Sequence, residues 1–171
     1  MLYVLHGMPS EAYFATRYAV LRQPLGMPHG SERLSDDDDA LHAWFEVDNA
    51  VAAVGRAHVL PIDSDGSGVD HKGPGAAAIP PFGPLARAEV QRPAFQIRQM
   101  GTVEEHRRKG LAGQVLSALE EGMVTQYGAK TGFLQAREHA IGFYRSQGWV
   151  LIDEPYAITN IGPHRSMMKT F

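Results

Sequence analysis

The chain contains no cysteine. That removes disulfides, thiolate metal ligands and a cysteine nucleophile, and it fits a reducing cytoplasm, the location we expect. No apolar run is long enough to cross a bilayer. The N-terminus, MLYVLHGMPSE, lacks the basic start and long apolar stretch of a secretory signal. Neither sign of charge dominates. With 16 Lys and Arg against 19 Asp and Glu, the formal net charge of −3 offers no overall basic field to nucleic acid or to a membrane surface. Neither the Walker loop G-x-x-x-x-G-K-[ST] nor a G-x-G-x-x-G after a strand occurs, and the hydrolase elbow G-x-S-x-G is missing. The histidines show no H-x-x-x-H or H-E-x-x-H spacing, so zinc is not supported. DSDGSG, starting at Asp63, opens like a calcium loop, but Pro74 occupies the twelfth position, where a bidentate acid is required. We expect no metal site.

What remains is the pattern of a globular domain. The 171 residues, 44% hydrophobic and 20% charged, suffice for one domain with a core. Apolar periodicity and turn residues predict strands at 2–5, 41–47, 51–60, about 94–103, 131–136, 149–152 and 165–171. They predict helices at 12–22, about 109–127 and 138–147, the first capped at Ser10. Asp48-Asn49 reads as a hairpin turn. The run Asp36 to Asp39 reads as a solvated acidic loop, suited to attract a cationic substrate. Residues 61–93, rich in Gly and Pro, read as a long and partly mobile loop with one helical turn at about 85–91. This order predicts an α/β (α+β) domain spanning 1–171, with 61–93 as an insertion and a mixed sheet covered by helices on both faces.

The segment richest in chemistry is VEEHRRKGLAGQVLSA at 103–118. A strand runs into a turn, Arg107-Arg108-Lys109-Gly110-Leu111-Ala112, and the turn into an amphipathic helix. The first N–H groups of a helix lack internal acceptors and the dipole is positive there, so three basic residues at that point are unfavourable unless an anion joins them. A phosphate or pyrophosphate suits such a terminus. Gly110 permits close approach of the backbone.

The turn resembles motif A of the GCN5-related N-acetyltransferases (GNAT), Q/R-x-x-G-x-G/A, which grips the pyrophosphate of acetyl-CoA. A second stretch, FLQAREHAIGFYRSQGW at 133–149, is similar to a later motif of that family through Ala140, Phe143, Tyr144, Gly148 and Trp149. RYAVLRQPLGMP near the start and Ile161 to Met167 near the end resemble the first helix and closing strand of a bacterial single-domain subgroup. Two departures stand out. Arg137 occupies a position where the family often has Asn, and Arg108 replaces a common Gly.

The resemblance implies the acyl-CoA N-acyltransferase fold, a mostly antiparallel sheet of six to seven strands splayed between strands four and five. It implies an N-acetyltransferase that uses acetyl-CoA and passes the acetyl group to a primary amine of a small molecule. Without a cysteine to carry the acyl group, transfer would be direct, in a ternary complex. Members often pair, which leaves a homodimer open.

Such a transfer must deprotonate an ammonium that titrates near about 10. It must also place donors where the thioester oxygen gains charge and give the thiolate a proton. By resemblance, Met100, Gly101 and Thr102 meet the pantetheine arm, with a bulge at Gly101. Val103 and the turn from Arg107 through Arg108, Lys109, Gly110 and Leu111 to Ala112 hold the pyrophosphate, Arg137 lies on the cofactor side, and Tyr144 is the general acid. The strand-four glutamate that serves histone-type relatives as base is matched here by Gln96, an amide that cannot. Glu46, His58, His164 or a water chain could take that role. His164 is favoured because His accepts a proton at neutral pH. The alternative function is a non-catalytic acyl-CoA sensor or partner-binding module of the same fold, and a second rival binds a plain nucleotide.

Overall fold

The computed structural model describes residues 1–171. Strand β1 (Leu2–His6) leads to helix α1 (Glu11–Leu21), whose first turn is capped by Ser10, its Oγ accepting from the Tyr13 N–H at 3.4 Å. Strands β2 (Leu41–Val47) and β3 (Ala50–Leu60) form a hairpin. Asp48 and Asn49 both take positive φ, at 50° and 62°, as a two-residue turn that follows the strand twist requires. Two short strands, β4 (Gly68–Val69) and β5 (Ala78–Ile79), pair with each other, and a single turn, α2 (Gly83–Ala86), follows. Then come β6 (Ala94–Thr102), α3 (Leu111–Tyr127), β7 (Thr131–Arg137), α4 (Ile141–Ser146), β8 (Val150–Leu151), β9 (Tyr156–Ile158) and β10 (Gly162–Thr170).

The main sheet runs β1-β2-β3-β6-β7-β10-β8, with β9 also on β10. Every pairing in it is antiparallel except β6 with β7. Parallel neighbours need a long crossover, and α3 supplies it. Leu111, Val115, Leu116, Leu119 and Met123 form the buried stripe of α3, at helical spacing. They pack with Ala53, Ala57 and Ile97 in the central core. On the other face Tyr13 and Phe14 of α1 pack against Val54. Alternation along β3 thus sends successive residues to opposite layers.

The expected loop at 61–93 is not loose. Its Gly and Pro spacers carry a few large residues that find partners: Phe82 is fully buried against Phe133, with ring centroids 4.9 Å apart, and Ile79 and Leu85 are buried too. Asp70, 2% exposed, pairs with Arg22 of the α1 terminus at 3.1 Å. The acidic run is also corrected. Asp37 is 2% exposed and lies 3.1 Å from Arg17 and 3.2 Å from Arg56, both fully buried, while Asp36 lies 3.0 Å from Arg56. Asp36 and Asp37 thus neutralise internal guanidiniums, while Asp38 and Asp39 stay exposed. The strand expected at 149–152 shortens to Val150–Leu151, β9 appears where none was expected, and the last strand begins at Gly162.

Candidate active site

The only parallel pairing is also brief. Strands β6 and β7 match at Ala94–Thr131, Phe95–Gly132 and Gln96–Phe133. At the point of separation Gln96 Nε2 donates to Gln135 Oε1 at 2.9 Å. Beyond it β6 bulges: Arg56 faces Arg98 and Val54 faces Gly101, so Gln99 and Met100 together oppose Gly55. An extra residue bends its strand and ends regular pairing. The left-handed residue is Gln99, at φ 57°, rather than the expected Gly101. Glycine at 101 has a different cause, since a Cβ there would press on Val20 and Leu21 of α1. Gly55 in turn leaves room for the Met100 side chain, whose sulfur a Cβ would strike. Gln99 Nε2 donates to the Asp70 carbonyl at 3.3 Å, which ties the bulge to the 61–93 segment.

The splayed strands frame a cleft of about 540 Å³. Its walls include Met100, Gly101 and Thr102 of β6, Arg137 of β7, Tyr144 of α4 and His164 of β10, with Arg107 and Arg108 at the turn. That turn is exposed and open. After a 3-10 turn at Glu104–His106, Arg108 takes φ 60° and Gly110 φ 79°, and α3 begins at Leu111. No side chain caps α3, no acid lies in its first turn, and nothing lies within 4 Å of where a Gly110 Cβ would be. The amides from Gly110 through Leu111 to Ala112 thus present a helix terminus flanked by two guanidiniums, a setting that suits a pyrophosphate.

One expected contributor is already paired. The Val103 N–H donates to the Ala52 carbonyl at 2.9 Å, and its carbonyl accepts from the His106 N–H at 3.0 Å, so its N–H is not free for a cofactor. The Lys109 side chain is exposed, with Nζ 3.3 Å from His106 Nδ1. The Thr102 carbonyl accepts from Arg107 Nε at 3.3 Å, which steadies the turn.

The titratable side chains sort by location. Tyr144 is 8% exposed and packs edge-on to Phe143 and Trp149. Burial pushes its phenol well above the ordinary value and Arg137 opposes this only in part, so it keeps its proton at neutral pH. His164 is 5% exposed, and its Nδ1–H donates to the Gly162 carbonyl at 2.8 Å, leaving Nε2 as an acceptor. Burial lowers its pKa below 6.5, with Arg137 and His139 adding to the effect against the Gly162 hydrogen bond, so the imidazole is neutral at pH 7. Arg137 faces His164 across the β7–β10 ladder and donates from Nη2 to the Leu21 carbonyl at 3.3 Å. The other base candidates lie away from the cleft. Glu46 accepts from Trp44 Nε1 at 3.0 Å on β2, and His58 opens onto a second cavity, its pKa pushed down to about 3 chiefly by burial.

Sequence reasoning missed Arg98, Gln99 and the Arg22–Asp70 pair, all of which line the cleft. Arg22 lay within the first-helix motif, but nothing in the sequence pointed to Asp70 as its partner. No three His, Cys, Asp or Glu side chains are grouped to hold a metal ion. No helix is long and apolar enough to cross a membrane.

Comparison with known proteins agrees with this geometry. The chain is 35% identical over 77 residues to a Bacillus subtilis (strain 168) protein described as uncharacterized N-acetyltransferase YitI. The match covers 45% of this chain and about half (51%) of that relative. The fold of this chain is similar to that of Escherichia coli ElaA, with a TM-score of 0.69 and 20% identity over 99% of this chain and 98% of the other. An aminoglycoside 6′-N-acetyltransferase solved with coenzyme A shares the fold at a TM-score of 0.64 and 11% identity, over 98% and 96% of the two chains. The family profile of the acetyltransferase (GNAT) domain matches residues 85–171, just over half of the sequence. The chain belongs to the GNAT acetyltransferase family.

Proposed function

We propose that the protein transfers an acetyl group from acetyl-CoA to a primary amine of a small molecule, directly and in a ternary complex, with residues 1–171 acting as one catalytic domain. The observation that carries this reading is the cleft itself, which runs from Arg107 and Arg108, beside the uncapped start of α3, to a protonated phenol and a neutral imidazole. The residues fit the donor: free helix-terminal amides and the guanidiniums of Arg107 and Arg108 suit a diphosphate, and the unpaired flank of β6 at Met100 to Thr102 suits an amide-bearing arm. Acetyl-CoA supplies the acetyl group as a thioester.

His164 Nε2 takes a proton from the ammonium, either directly or through water. The backbone at the bulge offers N–H groups to the carbonyl oxygen as it gains charge. Tyr144 returns a proton to the departing sulfur. With no cysteine in the chain, no thiol relay competes with direct transfer.

Acetyl-CoA consumption across a panel of amines tests the reading, and CoA binding without turnover of any amine would replace it with a sensor. CoA should also bind far more tightly than ATP or NAD in calorimetry. The paired substitution Arg107→Ala/Arg108→Ala should weaken CoA binding about ten-fold or more, because two charge-assisted contacts are lost. Unchanged affinity would place the diphosphate elsewhere. His164 should also set an acid limb in kcat/KM. Its pKa lies below 6.5, so the neutral base is complete near pH 7 and is lost only as pH falls beneath that value. His164→Gln should lower kcat/KM about 10²-fold and abolish the limb. A pH profile identical to that of the parent would return the role to water.

A further inference from the structure

Beyond the thioester end the cleft meets a second cavity of about 610 Å³, between the sheet and the 61–93 segment. Arg98 and Ile79 wall both spaces. Positive charge predominates on the cleft side of this junction, while Asp36 and Asp39 line the second cavity, Asp36 being held by Arg56 at 3.0 Å. Among the carboxylates of the chain only Asp70 lines the cleft, and Arg22 already holds it at 3.1 Å. Arg98 has no carboxylate partner. One of its N–H groups, on Nη2, donates to the Val69 carbonyl at 2.7 Å, leaving most of the fork uncommitted. The second cavity adds further unspent polar atoms, since His58 Nδ1 and His71 Nδ1 are buried without a partner.

A guanidinium held partly out of water with no carboxylate in direct contact is costly, and an oxyanion relieves that cost. Burial, joined by the nearby guanidiniums of Arg56, Arg17 and Arg22 and opposed by Asp36, depresses Arg98 to about 9. The cleft side of the junction therefore disfavours a polycation such as a polyamine, which would bring more positive charge beside Arg22, Arg98 and Arg137.

We propose that the acceptor amine also carries an oxyanion, a carboxylate or a phosphate, and that Arg98 receives it at the junction of the two cavities while the amine faces His164. This rests on the transferase reading and narrows its substrate class. Arg98 acts here as a specificity-determining residue. Its planar fork donates to two oxygens at once and fixes how far the amine reaches into the cleft.

Matched pairs test the proposal: each amino acid against its carboxamide, O-phosphoethanolamine against ethanolamine, and spermidine as the cationic control, all with saturating acetyl-CoA. The anionic member of a productive pair should exceed its neutral partner about ten-fold or more in kcat/KM, and the productive arm tells carboxylate from phosphate. Arg98→Gln should erase that preference chiefly through KM for the anionic member, and Arg98→Lys should restore part of it. CoA affinity and the circular-dichroism spectrum of both variants should match the parent. Neutral amines or spermidine turned over as well as the anionic members would overturn the proposal, as would Arg98→Gln lowering both members of a pair alike. If no amine reacts although CoA binds, the transferase reading fails separately. The oxyanion site is then read by titrating acetate and phosphate into the CoA complex. Heat lost in Arg98→Gln supports the site, and equal heat, or none from the parent protein, removes it.

Discussion

Tyr144→Phe should lower kcat about 10²–10⁴-fold, the usual contribution of a placed general acid, while CoA affinity and thermal stability stay near those of the parent. The substitution removes one oxygen and keeps the ring, so packing against Phe143 and Trp149 survives. The size of the effect follows from the environment. Burial holds the phenol protonated well past neutral pH, so the side chain has a proton to give wherever the enzyme works. Stopped assays of CoA release, run beside calorimetric CoA binding, separate chemistry from binding. Turnover close to that of the parent would assign the leaving-group proton to solvent.

The second large effect concerns stability. Asp37→Ala should cost about 3–5 kcal/mol, the range for breaking a buried ion pair and stranding its partner. Two fully buried guanidiniums, Arg17 and Arg56, depend on this carboxylate. It also accepts from the Leu34 N–H at 2.8 Å, so its removal orphans a backbone donor as well. Urea unfolding should show a lower midpoint with little change in slope. Asp38→Ala, one residue away and exposed, is the control and should change little. Equal midpoints for the two variants would mean that the buried cluster relaxes or hydrates freely.

The same acidic run shows where sequence reading ends. Four consecutive Asp residues have the composition of a solvated loop, and only the packing of α1 against β3 reveals that two of them face internal Arg residues. Local chemistry was easier to read. Basic residues before Gly110 contradict the helix dipole, and that conflict is visible without coordinates, as are the apolar stripe of α3 and the Asp48-Asn49 turn. The bulge was misplaced by two residues because glycine is the usual sign of a left-handed backbone. Here Gln99 takes that conformation, held by a hydrogen bond to Asp70, while Gly101 answers a steric demand from α1. Both causes are long-range, and no window of the sequence contains them. The segment 61–93 was misread for a related reason: few of its residues are apolar, but those few are the ones that dock.

Asp70 works as a keystone between regions far apart in the chain. It meets the end of α1 through Arg22, and its carbonyl receives Gln99 at the bend of β6. Its neighbour Lys72 donates its N–H to the Arg33 carbonyl at 2.7 Å. The stretch from Gly73 to Gly75, exposed just beyond these anchors, is therefore where the chain tolerates an insertion or deletion at little cost. A change of even one residue between Val69 and Lys72 would instead be felt at the curvature of β6.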